Sequence, residues 1–149
     1  MSGSTATLRR ARREDLPAIN RLMHGSGAYQ GDYAAILDGY AVTEAQLDQD
    51  QLVVAEASGE ILGFFSLILD PPELDLLFVA DRAQGTGLGE RLFQDMARIA
   101  RNAGLGEVKI ISHPPSVGFY ERMGAVRIGE SPPTGRISWS RPILRLPLG

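Results

Sequence analysis

The segment Gln84–Gly89, with the sequence Q-G-T-G-L-G, constrains the fold of this chain more than any other. It follows an apolar run, Leu74–Val79, and it opens a pattern of helical period. A glycine-rich turn between a strand and a helix lets backbone N–H groups approach a ligand, and the helix N-terminus adds a partial positive charge. The segment therefore predicts a phosphate-binding turn in a domain that mixes strands with helices.

The glycine spacing excludes two common nucleotide sites. A Walker A loop has a lysine after its last glycine, and no lysine follows here. A dinucleotide fingerprint, G-x-G-x-x-G, needs its third glycine where this chain has Glu90 or Leu92. What remains is the pattern Q-x-x-G-x-G, fixed by Gln84, Gly87 and Gly89, which by itself also fits an ordinary glycine-rich turn.

Composition and charge narrow the class of protein. The length predicts one domain, residues 1–149, and 44% hydrophobic with 22% charged content is typical of a soluble globular protein. The net charge of −3 and the shortness of the basic cluster Arg9–Arg13, which we expect to be a solvated strand end, argue against a nucleic-acid partner. The lack of cysteine excludes disulfides, thiolate metal ligands and cysteine nucleophiles. Because no apolar run has membrane-spanning length and the N-terminus does not resemble a signal peptide, we expect a cytoplasmic protein without a membrane partner.

Apolar periodicity predicts the order of the elements, β-α-α-β-β-β-α-β-α-β-β. Strands are predicted at Thr7–Arg10, Gln51–Ala57, Ile61–Leu69, Glu73–Val79, Glu107–Ser112, Ala125–Gly129 and Ile143–Leu146. Helices are predicted at Leu16–Met23 with Asp15 as the N-cap, at Tyr33–Leu47, at Gly87–Asn102 and at Val117–Met123. An early hairpin and a later crossover helix indicate an α/β or α+β domain around one mixed sheet.

Three motifs in this order resemble the GNAT superfamily of N-acetyltransferases. The Q-x-x-G-x-G turn resembles the family's acyl-CoA pyrophosphate loop, [QR]-x-x-G-x-[GA], and Leu77–Val79 resembles the L-x-V strand end before it. Downstream, Phe119–Ala125 resembles F-Y-E-x-x-G-F, with Ala125 in place of the last phenylalanine. The resemblance covers about residues 6–146. It implies the GNAT fold, a single mixed, mostly antiparallel sheet flanked by helices, and acetyl transfer from acetyl-CoA to an amine without a metal.

The resemblance also assigns the acetyl-CoA site. The pyrophosphate is held by the turn, through backbone N–H groups and the Gln84 side chain; the turn residues are Gln84, Gly85, Thr86, Gly87, Leu88 and Gly89. The backbone of Leu77, Phe78 and Val79 pairs with pantetheine, and their side chains also fit plain sheet core. His113 stands where many relatives have an asparagine that contacts pantetheine. A surface-loop histidine is the alternative for His113.

The catalytic groups are an acid and a base. In the family, a tyrosine at the position of Tyr120 protonates the sulfur of CoA; the alternative is a buried aromatic side chain. Glu73 and Asp75 lie two residues apart on a predicted strand, so we expect both on one face as candidates for the base. A partly apolar cleft would raise the pKa of either carboxyl and make it a better base. Solvated edge residues, with ordered water as the base, remain the alternative.

The acceptor side has no comparable motif. An aromatic and acidic rim would suit a cationic amine, and an ordinary solvated helix face with core aromatics is the alternative. The rim candidates are Tyr29, Tyr33, Tyr40, Trp139, Asp32, Asp38, Glu44, Asp48 and Asp50. The segment Gly129–Pro142, which includes Arg136, is a candidate specificity loop. We expect an N-acetyltransferase for a primary amine of a small molecule or protein. A catalytically silent acyl-CoA-binding or regulatory module is the alternative, and a homodimer is left open.

Overall fold

The computed structural model describes residues 6–25, 41–135 and 137–148. The strands are β1 (Thr7–Arg10), β2 (Gln51–Ala57), β3 (Glu60–Leu69), β4 (Pro72–Val79), β5 (Glu107–Ile111), β6 (Val126–Ser131) and β7 (Arg141–Pro147). The helices are α1 (Leu16–His24), α2 (Glu44–Gln49), α3 (Leu88–Asn102) and α4 (Val117–Arg122). Short 3₁₀ turns lie at Arg13–Asp15, Asp81–Ala83 and Pro114–Ser116.

The seven strands form one sheet in the order β1-β2-β3-β4-β5-β7-β6. Strands β4 and β5 are parallel, with Glu73 opposite Lys109, and the other neighbours pair antiparallel. The parallel pair requires a crossover connection, and α3 provides it. The predicted mixed, mostly antiparallel sheet is therefore confirmed. No helix in the described part of the chain combines the length and the apolar character needed to cross a bilayer.

Helix α3 packs on one face of the sheet and forms the larger core. Its buried residues, spaced at helical period, are Leu88, Leu92, Phe93, Met96, Ala97 and Ala100. The helix lies close to the sheet at Gly63, where a Cβ would be only 2.9 Å from Leu92 Cδ1 and 2.9 Å from the Phe78 carbonyl oxygen. Glycine at this position thus fixes how closely α3, and the turn before it, approach β3.

Helix α1 packs on the opposite face and forms the smaller core. Ile19 and Met23 are fully buried there, against a group that includes Phe64 of β3 and Phe78 of β4. The two phenylalanine rings stack with centroids 5.6 Å apart. Because this core lies over β2, β3 and β4, it covers the first half of the sheet.

Asp15 directly precedes α1, as predicted for an N-cap, but its side chain does not cap that helix. The carboxylate instead accepts hydrogen bonds from the backbone N–H of Arg12 (2.7 Å) and from both terminal nitrogens of Arg9 (2.8 and 3.0 Å). Arg9 also donates through Nε to Glu56 (3.0 Å). The predicted solvated basic strand end is thus wrong at Arg9, which ties β1 to the 3₁₀ turn at Arg13–Asp15.

The second helix differs most from its prediction. Helix α2 begins at Glu44, where the Thr43 hydroxyl accepts a hydrogen bond from the Gln46 N–H and the Gln46 side-chain oxygen accepts one from the Thr43 N–H. This reciprocal cap defines the helix start. The predicted residues 33–40 lie outside the described residues.

Candidate active site

The two parallel strands separate beyond Glu73 and Lys109, and a cleft of about 320 Å³ lies between their carboxyl ends. Ligands bind at such strand ends in many α/β proteins because the neighbouring backbone groups are unpaired there. The predicted site residues on the cleft wall are Asp75, Leu77, Phe78, Val79, Gln84, Gly89, His113 and Tyr120. The structure therefore brings together residues that lie far apart in the sequence.

Strand β4 carries one extra residue, Asp75. Leu67 of β3 pairs with Leu74, but the next residue, Ser66, pairs with Leu76. The side-chain alternation changes at this bulge, because Leu74 packs in the larger core and Leu76 against the smaller one. A bulge bends its strand and redirects side chains, and bulges are frequent beside active sites. The bulge thus accounts for the divergence of β4 from β5 and for the position of Asp75 on the cleft wall.

The carboxyl of Asp75 is electrostatically perturbed. Burial, the largest cause, and then the negative charges of Glu73 and Asp50 together raise its pKa to about 6. The group is therefore mostly ionised at neutral pH and is a stronger base than an exposed aspartate. Glu73 does not line the cleft, and the bulge interrupts the regular alternation on which the shared face of Glu73 and Asp75 was predicted.

The glycine-rich turn has the backbone conformation that its sequence predicts. Gly85 and Gly87 have φ values of 78° and 84°, in the left-handed region that favours glycine. A Cβ at either position would meet no atom within 4 Å. Conformation, and not lack of space, therefore requires glycine at these two positions.

The turn is also held by side chains. Thr86 Oγ1 donates to the Ala83 carbonyl (2.6 Å), and the Gln84 side-chain amide donates to the Val79 carbonyl (3.1 Å). Gln84 thus joins the turn to the end of β4, a role that its assignment to the pyrophosphate did not include. Gly87 is the N-cap of α3 and offers no side chain to the first amides of the helix. These N–H groups are available to an anion.

Gly89 and Leu88, at the start of α3, differ in how they contribute to the candidate site. A Cβ at Gly89 would lie 3.5 Å from Phe119 Cε1 and 3.8 Å from Val79 Cγ2, so the helix start borders the cleft. The Leu88 side chain is buried in the larger core, and only its backbone can serve a ligand. Gly85, Thr86, Gly87 and Leu88 are outside the cleft lining, at the turn beyond it.

Tyr120 both packs in the core and lines the cleft. Its ring lies 5.4 Å from that of Phe119 and 6.0 Å from that of Phe93, and the residue is 9% exposed. Aromatic packing of this kind fixes the ring and leaves the hydroxyl to a polar neighbour. The two interpretations of Tyr120, buried aromatic and proton donor, are therefore compatible.

His113 follows β5 and is buried, with 6% exposure, on the cleft wall. Its carbonyl accepts hydrogen bonds from Ser112 Oγ (2.8 Å) and from the Ser116 N–H (2.9 Å). The alternative of a surface-loop histidine is therefore wrong. Arg122 also lines the cleft. It was not predicted because it occupies a variable position of the F-Y-E-x-x-G motif.

The acceptor rim is described only in part. Glu44 forms an ion pair with Arg13 (3.1 Å), Asp48 is exposed on α2, and Asp50 and Trp139 are half-buried. The candidates that lie outside the described residues are Tyr29, Asp32, Tyr33, Asp38, Tyr40 and Arg136. The predicted specificity loop is shorter than expected, because β6 and β7 include both of its ends. Within the described ranges, no group of histidine and acidic residues is arranged to hold a metal ion.

A family comparison and a relative of similar sequence both indicate an acetyltransferase. Residues 33–139 match the family described as "Acetyltransferase (GNAT) domain". A protein of Pseudomonas phage PaMx11, a "5-NmdU N-acetyltransferase", is 33% identical over 93 residues, which are 60% of this chain and 66% of that protein. The chain therefore spans slightly less than two thirds of that relative's length.

Solved structures share the whole fold at lower identity. A GCN5-related N-acetyltransferase from Rhodopseudomonas palustris is 21% identical and superposes with a TM-score of 0.82 over 99% of this chain and 98% of that one. The protein yncA of Salmonella typhimurium, solved with its cofactor acetyl-CoA, is 20% identical, with a TM-score of 0.76 over 97% of this chain and 95% of that one. These similarities confirm the fold that the motifs predicted.

Proposed function

Because the chain belongs to the GNAT family of acetyl-CoA-dependent acetyltransferases, we propose that it transfers the acetyl group of acetyl-CoA to a primary amine by direct attack. The observation that carries this proposal is the cleft between β4 and β5, which holds Asp75 and Tyr120 on its walls and ends at the glycine-rich turn. A donor site and two groups suited to proton transfer thus share one cavity.

Unpaired backbone groups support the proposed binding site for acetyl-CoA, the acetyl donor. The amides at the start of α3 suit the pyrophosphate, because they are directed by the helix axis and lie beside two left-handed glycines. The diverging end of β4, Leu77–Val79, offers the pantetheine arm an open strand edge on the side away from β3. His113 borders the same arm from the β5 side. These residues would place the thioester carbonyl near the bulge.

The chemistry needs a base and an acid. An amine with an ordinary pKa is protonated at neutral pH and cannot attack until it loses a proton. Asp75 accepts that proton, the amine nitrogen forms a bond to the carbonyl carbon, and the carbon–sulfur bond breaks. Tyr120 donates its proton to the departing thiolate, and the second proton that the nitrogen loses on becoming an amide returns to the Tyr120 phenolate. The products are the N-acetylated amine and CoA with a free thiol.

The acceptor is proposed only as a class. The primary amine could belong to a small molecule or to a protein, and the phage relative's name adds 5-NmdU to the acceptors worth testing. The catalytically silent module remains the competing function. The carboxylate and the tyrosine on the cleft walls favour the enzyme, because binding acetyl-CoA alone would need neither.

The test is thiol release from acetyl-CoA with a panel of amines that includes 5-NmdU. The chain contains no cysteine, so every free thiol detected comes from CoA. We expect thiol release with at least one amine, in an amount equal to the acetylated product detected by mass spectrometry. Binding of acetyl-CoA without thiol release for any amine would establish the silent module instead.

A further inference from the structure

Two carboxylates, Asp50 and Glu73, stand on the α1 face of the sheet, and a third, Asp75, lies on the wall of the cleft. Asp50 directly precedes β2, where Gln51 pairs with Leu67, so it is level with Ile68 of β3. Ile68 in turn pairs with Glu73 of β4. Asp50 and Glu73 therefore stand in one row, two strand spacings or about 10 Å apart at the backbone. Asp75 lies beyond Glu73 at the bulge.

None of these three carboxylates has a cationic partner within the described residues. The ion pairs there leave out Asp50, Glu73 and Asp75, and Lys109, opposite Glu73, forms no ion pair with it. Mutual repulsion is evident, since Glu73 and Asp50 follow burial among the causes that raise the pKa of Asp75. Half-buried like charges without a counter-ion favour a positively charged ligand.

A buried hydroxyl points to the same place. Ser66 lies on β3, between β2, which Asp50 precedes, and β4, which carries Asp75, and it is fully buried. Its hydroxyl lies near enough to the Asp50 carboxylate to oppose the effect of burial on the pKa of Asp50. It makes no hydrogen bond of good geometry with Asp50 or any other described atom. Buried polar groups are normally hydrogen-bonded, so the Ser66 hydroxyl calls for a partner, and a bound molecule beside Asp50 would supply one.

The arrangement does not suit a metal ion. Asp50 lies before β2 while Glu73 and Asp75 lie on β4, and no described acidic group is arranged to hold a metal. Asp75 must also remain free to accept a proton from the attacking amine, and once protonated it no longer balances a cation. Asp50 and Glu73 then still carry two negative charges beside the reacting centre. An organic molecule with separated charges fits this arrangement.

We propose that Asp50, with Glu73 and the Ser66 hydroxyl, binds a second cationic nitrogen of the acceptor while the amine to be acetylated stands at Asp75. This rests on the proposed function and makes its acceptor a diamine or polyamine-like dication. Asp50 is a specificity residue in this proposal, because it contacts the acceptor away from the acetylated nitrogen.

The test compares linear diamines of increasing length with the alkylamines that have the same number of carbons. We expect kcat/KM to favour the diamine by about tenfold or more at one length, which corresponds to about 1.4 kcal/mol. The preference should shrink as salt is added, because the charges are partly exposed. Asp50→Asn should remove most of the preference by raising KM for the diamine.

Glu60→Gln is the matched control, since it removes one exposed negative charge at the other end of β3. We expect it to retain the diamine preference of the unmodified protein. Equal kcat/KM for diamines and alkylamines in the unmodified protein would overturn the dication proposal and leave the acetyltransferase function intact, even if Asp50→Asn failed to fold. Thiol release with no amine at all would instead overturn the proposed function, and this proposal with it.

Discussion

Asp75 and Glu73 lie on the same strand with Asp75 at the bulge, where burial, and then the charge of Glu73, raise the pKa of Asp75 to about 6. A raised carboxyl pKa means that the folded protein holds the proton more tightly than the unfolded chain does. Ionisation of Asp75 therefore opposes folding, and this penalty develops as the pH rises from the unfolded value near 4 through about 6.

We predict that Asp75→Asn stabilises the protein at about pH 8 and leaves its stability unchanged at about pH 3, where both states are protonated. Because solvent screens part of the charge on a half-buried side chain, we expect a gain of about 1 kcal/mol. Thermal unfolding at the two pH values measures it. The same variant should lose most of its acetyl transfer, since asparagine accepts no proton. A stability loss at high pH would contradict the electrostatic account.

A second prediction concerns the pH dependence of activity. If Asp75 is the base, kcat/KM should rise with pH through about 6 before other groups intervene. Glu73→Gln removes a negative neighbour, so the pKa of Asp75 should fall and the rise should move to lower pH. The pH–rate profiles of the two proteins, measured with one amine, test this. If the midpoint of the pH–rate profile did not change, the charge of Glu73 would have no effect on the pKa of the base.

The pKa of Asp15 is shifted in the opposite direction to that of Asp75. Hydrogen bonds from Arg9 are the largest cause and lower the pKa of Asp15, although burial raises it. The stability that ionised Asp15 contributes is therefore present above the unfolded pKa and is lost as the pH falls through the folded value. We predict that Asp15→Asn destabilises the protein by about 2 kcal/mol at neutral pH and by much less near pH 3.

Urea unfolding at both pH values measures this difference. Asp95→Asn is the control, because Asp95 pairs with Arg98 one helical turn away and Arg98 is 60% exposed. A pair of this kind contributes about 0.5 kcal/mol or less. An equal effect of both substitutions would show that the Arg9–Asp15 pair is no stronger than a surface pair.

Local chemistry made much of the fold predictable. Strands β1 and β2 have their predicted bounds because alternation and turn residues mark both ends. The glycine-rich turn was predictable because positive φ values restrict the residue type. By contrast, the bulge at Asp75 adds a residue inside an apolar run without changing its composition. The placement of β7 between β5 and β6 depends on pairing between distant residues, which no local pattern encodes.

The same distinction applies to the site. Residues inside motifs, such as Tyr120 and Gly87, could be proposed as site residues from sequence. Asp50 was only one of several acidic candidates, because its relation to Glu73 depends on the register of three strands. Arg9 was assigned to a solvated basic cluster, since nothing local shows that Asp15 and Glu56 converge on it.

The two ends of α3 allow a controlled test of the pyrophosphate turn. Gly87 and Gly104 both have left-handed φ values, 84° and 82°, and a Cβ at either would meet no atom within 4 Å. Valine at either position should therefore destabilise the fold by a similar 1–2 kcal/mol or so. We predict that Gly87→Val lowers acetyl-CoA affinity by at least about tenfold, because the amides at the helix start are displaced, and that Gly104→Val does not. Isothermal titration with acetyl-CoA distinguishes them, and equal affinities would remove the turn from the donor site.

The last prediction concerns the proton donor. Tyr120→Phe keeps the ring that packs against Phe93 and Phe119 and removes only the hydroxyl. We expect kcat to fall about a hundredfold, in line with the loss of one general acid, while acetyl-CoA affinity stays within about twofold. Steady-state kinetics and titration together provide the measurement.

We expect kcat to change more than acetyl-CoA affinity because the Tyr120 hydroxyl acts on the sulfur only when the carbon–sulfur bond breaks. Its loss therefore affects the transition state more than the bound state. Phe119→Leu is the informative comparison, because it disturbs the packing of the Tyr120 ring and the wall beside Gly89 without removing a proton donor. We expect it to weaken acetyl-CoA binding and to affect kcat less than Tyr120→Phe does. If Tyr120→Phe turned over as fast as the unmodified protein, Tyr120 would be a packing residue, and the thiolate would take its proton from solvent.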